Sequence, residues 1–323
     1  MTLPKITLTR RWPEAVEDQL RRTYNLDSNE SDQPMNPEQL GAALARSDAV
    51  CPTVSDRIDA ELLNGADIQA RIIASYGVGF DHIDLAAAKK RGIVVTNTPE
   101  VLTDCTADLA MTLLLGIARR AGEGERHVRA KAWVGWHPTH MMGAKITGKT
   151  LGLVGLGRIG LAVARRAHFG FGMRVIYFDP APPPADVVQA VGAEARDSLK
   201  SLLREADFVS LHCPSNEATH HLMNAERFEL MRDSAFLINT SRGDVVDCDA
   251  LVDALGNKQI AGAGLDVYEG EPTVPEALTD LENVMLLPHL GSATLETRIA
   301  MGMRVAENLE AFFAGGEPRD RVG

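Results

Sequence analysis

The run Thr150-Leu151-Gly152-Leu153-Val154-Gly155-Leu156-Gly157-Arg158-Ile159-Gly160 decides how the rest of the chain is read. Its first five residues read as a short buried strand, and Leu161 to Phe171 carry helical spacing. Strand, glycine turn and helix in that order form a dinucleotide fingerprint. The first glycine allows the tight turn, the second admits a pyrophosphate, and the third lets helix and strand pack closely. Free N–H groups at the helix start then face the phosphates. Working outward, Met173 to Phe178 is apolar and β-prone, and it ends at Asp179, 19 positions after Gly160. An acidic residue about 20 positions on is where a ribose 2′-hydroxyl is held. The same carboxylate would repel a 2′-phosphate, and Pro180-Ala181-Pro182-Pro183-Pro184 offers no basic residue to bind one. NAD is therefore expected over NADP, with NADP still possible.

The fingerprint sits in the middle of a 323-residue chain, so about 150 residues precede it, enough for a separate domain. A net charge of −11 argues against a nucleic-acid partner, which needs a basic patch. It also means that an anionic substrate must be captured by local positive groups. No apolar run approaches the length of a membrane span, and the opening Met1 to Leu8 has no secretory character. Cys51, Cys105, Cys213 and Cys248 lack metal-type spacing, so no metal is expected, and they read as reduced thiols of a cytoplasmic protein.

Before the fingerprint, strand-like runs at 6–8, 49–51, 71–74 and 93–95 alternate with helical stretches at 13–22, 38–46, 56–63 and 84–91. After it, strands are expected at 208–211, 235–238, 261–267 and 284–287. Such alternation implies parallel sheets with helices on their faces, an α/β class. Two long helical patterns stand apart, Thr103 to Arg120 and Leu295 to Phe313. Ala121 to Lys149 reads as irregular. Its Trp133, Trp136, His137, Pro138, Met141 and Met142 suggest either a contact surface or a loop packed on its own domain.

Ligands of doubly wound sheets bind beyond the carboxyl ends of strands. Arg242, Glu271 and His289 each follow an expected strand closely. Reduction of a 2-oxo acid would need all three types. A histidine donates the proton to the carbonyl oxygen. A carboxylate orients the histidine, and an arginine clamps the substrate's carboxylate.

At this point the motifs resemble the D-isomer-specific 2-hydroxyacid dehydrogenases over nearly the whole chain. Asn239-Thr240-Ser241-Arg242-Gly243 is similar to the family's arginine motif, Leu265 to Pro272 to its glutamate motif, and Leu287 to Thr294 to its histidine motif. Tyr76-Gly77-Val78-Gly79-Phe80-Asp81 resembles its substrate loop. The resemblance implies that His289 is the acid/base, paired with Glu271, and that Arg242 binds substrate. Val78 and Gly79 would hold the substrate carboxylate through their amides. It further implies cofactor contacts from Thr106, Gly155, Gly157, Arg158, Ile159, Gly160, Asp179, Cys213, Pro214, Thr219, Thr240, Ser241, Asp266 and Gly291.

The Gly291-Ser292-Ala293-Thr294 run and the Trp136 segment are similar to the glyoxylate/hydroxypyruvate reductase branch. That branch implies a homodimer in which Ser292 contacts substrate and Trp136 reaches the neighbouring subunit's site. Lactate-type or phosphite dehydrogenases and a cofactor-sensing corepressor-like protein are the alternatives. Leu290 and Asp108 depart slightly from the usual pattern. The chain ends soon after the last helix, so no C-terminal regulatory domain is expected. The implied architecture has two Rossmann-like domains with the active site in the cleft between them. A flavodoxin-like substrate domain would comprise 1–102 with 291–323, and the dinucleotide-binding domain 103–290.

Overall fold

A computed structural model describes residues 3–65 and 67–323. The chain forms two compact units, residues 1–102 with 292–323, and residues 103–291.

The first unit is built on a sheet of β1 (Lys5–Leu8), β2 (Asn25–Ser28), β3 (Ala49–Cys51), β4 (Ile72–Ala74) and β5 (Val94–Thr96). Its parallel order is β5-β4-β3-β1-β2, the flavodoxin-like arrangement, and Arg321–Val322 closes the β5 edge antiparallel. The central strands are buried throughout, as parallel strands covered on both faces must be. Val50, Ile73 and Val95 point into a core with Leu44, Ile58, Leu63 and Ile83. The helix Leu295–Phe313 returns to this unit, packing on the helix Glu14–Thr23 and on β4.

The second unit holds β6 (Thr150–Val154), β7 (Arg174–Phe178), β8 (Ala193–Ala195), β9 (Phe208–Leu211), β10 (Phe236–Asn239), β11 (Gly262–Leu265) and β12 (Val284–Leu286). All are parallel, in the order β12-β11-β10-β9-β6-β7-β8, which reverses between β6 and β9. Alternate residues feed two cores. Leu151, Leu153, Val175, Tyr177, Phe208, Phe236 and Ile238 face one side with the helix Thr103–Ala118. Val154, Ile176, Val209, Leu211 and Leu237 face the other with Leu202 and Leu203. Period-two alternation of apolar residues on both faces explains why this sheet lies between two helical layers.

Three expectations need correction, and two strands are unanticipated. Ala121–Arg129 is a helix, although Ala121 to Lys149 reads as irregular. It has no buried residue, and Arg120–Glu123 and Arg129–Glu125 ion pairs along it supply local support. The helix expected from Asp56 begins at Ala60. Asp56 instead accepts hydrogen bonds from the Thr53 amide at 2.7 Å and the Thr9 hydroxyl at 2.6 Å, tying two loops. The fingerprint helix runs Arg158–Arg165 and gives way to a π turn at Arg166–Gly170. The edge strands β2 and β8 carry too few apolar residues to be seen in the sequence.

Candidate active site

The strands of the second unit are parallel, so the loops after β6, β7, β9, β10, β11 and β12 emerge at one edge of the sheet. The fingerprint turn follows β6 at the point where strand order reverses, the usual ligand position. Gly155 has φ +92°, and a Cβ there would lie 2.8 Å from the Cys213 nitrogen. At Gly160 a Cβ would lie 2.5 Å from the Gly155 carbonyl oxygen. Gly157 differs, because a Cβ there would meet nothing within 4 Å. The protein's own backbone requires the first and third glycines, whereas the second leaves space open for a ligand. The helix Arg158–Arg165 then begins without a side-chain cap, leaving its first N–H groups for an anion. Among the described residues, the buried Thr240 hydroxyl has no hydrogen-bond partner, a further polar group suited to a ligand. These features fit a dinucleotide.

Asp179, at the end of β7, accepts the Leu156 amide at 2.7 Å and the Ala181 amide at 2.8 Å, one on each carboxylate oxygen. Its charge is thereby fixed beside the glycine turn. Behind that turn lies the half-buried His212, with Nε2 2.9 Å from the Ser210 hydroxyl. Burial pushes its pKa down to about 4, so the wall is a neutral imidazole. Burial also pushes the Cys213 thiol up to about 11, which removes it as a nucleophile at neutral pH. Thr219 donates to the Pro214 carbonyl at 2.6 Å and accepts the Asn216 amide at 2.9 Å, closing its own loop.

The expected catalytic residues meet at the ends of β10, β11 and β12. His289 Nδ1 lies 2.8 Å from Glu271 Oε2, and Glu271 Oε1 accepts the Tyr268 amide at 2.9 Å. Burial opposes ionisation of Glu271. The His289 hydrogen bond and charge, the Tyr268 amide and the Arg242 charge outweigh it and hold this carboxyl below its usual range. His289 sits at φ +54°, with its amide donating to the Asp266 carbonyl at 2.9 Å. Asp266 is 1% exposed and receives the Leu290 amide at 2.6 Å and the Gly291 amide at 2.8 Å. Burial still leaves its pKa raised. Thr106 donates its hydroxyl to the Gly291 carbonyl at 3.0 Å, so toward a cofactor it offers acceptor lone pairs.

Arg242 is positioned by residues whose roles the sequence reading left out. Asn239, buried at the end of β10, donates to the Arg242 carbonyl at 2.8 Å and accepts both the amide and hydroxyl of Ser241. Gly243 lies so close to the Tyr268–Glu269 peptide that a Cβ would collide with it. Tyr268 in turn donates to the Leu287 carbonyl at 2.9 Å, joining the glutamate and histidine loops. A buried asparagine closing a strand and a glycine after the arginine were the available signals.

Val78, Gly79 and Ser292 belong to the first unit. There Asn97 donates to the Val78 carbonyl at 2.7 Å, fixing the loop. Among the described residues, neither the Val78 nor the Gly79 N–H is taken by a backbone or side-chain acceptor. Trp136 is 81% exposed, in a segment where Trp133, Val134 and Met142 are also exposed.

A sequence model of the D-isomer-specific 2-hydroxyacid dehydrogenase NAD-binding domain matches residues 111–291. The chain is 46% identical to the glyoxylate reductase of Thermococcus litoralis, covering 99% of this chain and 96% of that one. It is 47% identical to the glyoxylate reductase of Korarchaeum cryptofilum, with the same coverage. Among solved structures, a Thermus thermophilus protein superposes with a TM-score of 0.90 at 44% identity, over 99% of this chain and 100% of that one. An NADPH-dependent glyoxylate/hydroxypyruvate reductase of Sinorhizobium meliloti, in complex with NADP and malonate, gives 0.88 at 35% identity, over 100% and 97%. With the family's NAD-binding domain matched and relatives this similar over their full lengths, the chain belongs to the D-isomer-specific 2-hydroxyacid dehydrogenases and is an enzyme of that family.

Proposed function

We propose that this dehydrogenase reduces glyoxylate or hydroxypyruvate to the corresponding 2-hydroxy acid, with NADH preferred over NADPH. The observation that carries the reading is the His289–Glu271 pair, with the Arg242 charge acting on Glu271, at the sheet edge that bears the glycine turn. The glyoxylate reductases similar to this chain support the substrate class. A bound nicotinamide cofactor supplies the hydride.

The chain's own residues handle charge and proton. Glu271 engages Nδ1 of His289 and orients the ring, which leaves Nε2 to give its proton to the carbonyl oxygen as the alcohol forms. The neutral imidazole left behind is about one-third exposed and regains a proton from water. Arg242 and the amides of Val78 and Gly79 bind the substrate carboxylate, and Ser292 contacts the substrate. Thr106, Gly155, Gly157, Arg158, Ile159, Gly160, Cys213, Pro214, Thr219, Thr240, Ser241, Asp266 and Gly291 contact the cofactor. Asp179 accepts the ribose hydroxyl and disfavours a 2′-phosphate, and the proline-rich run behind it offers no compensating base. The enzyme acts as a homodimer, with Trp136 contributing to the partner's site.

The test is a panel of 2-oxo acids with NADH and with NADPH, followed by nicotinamide absorbance. Glyoxylate and hydroxypyruvate should give the highest kcat/KM with NADH. A different acid at the head of the panel would overturn the substrate assignment, and faster turnover with NADPH the cofactor assignment.

A further inference from the structure

We propose that His220, His221 and Glu269 form a binding site for a divalent transition cation of the zinc class. His220 and His221 end the turn that begins at Asn216 after β9, and Glu269 lies in the loop after β11. Their ligating atoms all lie within 4.8 Å of one another, and His221 Nε2 is 3.0 Å from Glu269 Oε2. Two imidazoles and one carboxylate suit zinc, nickel or cobalt, whereas magnesium and calcium prefer all-oxygen shells.

The backbone under these side chains is already held. The His220 amide donates to the Asn216 carbonyl at 2.9 Å, and the His221 amide to the Asp244 carbonyl at 2.8 Å. The two rings stack with centroids 4.0 Å apart, so they project together. Ligands about 2.0–2.2 Å from a tetrahedral cation stand roughly 3.3–3.6 Å apart. The His221–Glu269 pair, at 3.0 Å, is a few tenths of an ångström closer than that spacing, and His220 beside it is exposed. Asp244 and Asp247 add negative charge beside His221, which favours a cation further. The remaining coordination position faces solvent, so ions can enter and water can complete the shell.

A bound cation would bridge the loop that carries Cys213, Pro214 and Thr219 to the loop that carries Glu271, bracing one end of the site. It need not take part in the chemistry.

Untagged protein stripped with a chelator should be titrated with Co²⁺ and followed by visible absorption, with Zn²⁺ as competitor. One equivalent should produce the ligand-field bands of a four- or five-coordinate nitrogen/oxygen site. His221→Ala and Glu269→Gln should each weaken binding by at least about 100-fold, since even outer-shell partners are worth 10–100-fold. His140→Ala should leave binding unchanged, although His127, His137 and His140 form a second histidine group on the surface. Saturating Zn²⁺ should raise the thermal midpoint of the wild type but not of the two site variants. Absence of cobalt bands would reduce the cluster to a His221–Glu269 ion pair and overturn the proposal. Binding that survives both site variants, or is lost in His140→Ala, would overturn it equally.

Discussion

His289 and Glu271 are 18 positions apart in sequence, yet Nδ1 of one lies 2.8 Å from Oε2 of the other. The contact is made while the His289 amide is itself bound to Asp266, so ring and backbone are oriented together. A proton donor held this way should contribute about 10²- to 10⁴-fold to turnover. His289→Ala should therefore lower kcat by that factor, while glycine-turn binding of NADH, read by fluorescence quenching, stays near the wild-type level. Near-normal kcat in this variant would mean that another group donates the proton.

Glu271 gives a prediction about pH. Its carboxyl is held below the usual range by His289, Tyr268 and Arg242 against the opposing effect of burial. A group with a depressed folded pKa contributes stability that is present above its unfolded value, about 4.3, and is lost as pH falls through the folded value. The stability gap between the wild type and Glu271→Gln should thus narrow as pH falls below about pH 4. Urea unfolding of both proteins across that range measures it. A gap that does not change with pH would show that the ionised carboxylate adds nothing to stability.

Two glycines should separate folding from binding. Alanine at Gly243 would collide with the Tyr268–Glu269 peptide, and neither backbone has a flexible end to yield. Gly243→Ala should cost about 1–3 kcal/mol or more, as overpacking does, and should displace Arg242 from Glu271 with loss of turnover. Alanine at Gly157 meets nothing of the protein within 4 Å. Gly157→Ala should keep the wild-type denaturation midpoint while weakening NADH binding about tenfold or more, the effect of roughly 1.4 kcal/mol. Equal losses of stability in both variants would remove the distinction.

These contrasts explain what could be read from the chain alone. The glycine turn, Asp179 and the arginine, glutamate and histidine motifs lie within a few residues of their own strands, so local order in sequence becomes local order in space. The strands β6, β9 and β10 are apolar on both faces and announce themselves by composition. Asn25–Ser28 does not, because its strand state comes from pairing with Lys5–Leu8 at the sheet edge and not from its own residues. Ala121–Arg129 contains two glycines and no buried side chain, so no apolar stripe marked it as helical. The closeness of Gly243 to Tyr268, and of His221 to Glu269, arises from neighbouring loops at one sheet edge. Residues that far apart in sequence carry no local signal of their meeting.

The exposed Trp133, Val134, Trp136 and Met142 bear on assembly. Large apolar side chains grouped on a surface mark contact sites. Light scattering should give twice the monomer mass. Trp136→Ala should lower kcat/KM for glyoxylate several-fold without changing NADH affinity, since the proposed role of this side chain is in the substrate region of the other subunit. A monomer in solution would remove the role proposed for Trp136.

Asp179, to which the proposed preference for NADH is assigned, also shapes the glycine turn. Its two carboxylate oxygens take the Leu156 and Ala181 amides, so the group that would repel a 2′-phosphate also holds the turn in place. Asp179→Ala removes both functions at once. It should narrow the preference for NADH over NADPH by about tenfold or more, since a charge repulsion of 1–2 kcal/mol is worth that factor. Leaving the Leu156 N–H without its acceptor should also cost about 1–3 kcal/mol of stability. Asp179→Asn keeps an acceptor for one amide while removing the charge. It should therefore shift the preference nearly as far while losing less stability than Asp179→Ala. Steady-state kinetics with both cofactors, paired with denaturation of each variant, separates the two effects. A preference that moves only as far as the stability falls would mean that the charge of Asp179 does not select the cofactor and that the turn geometry does.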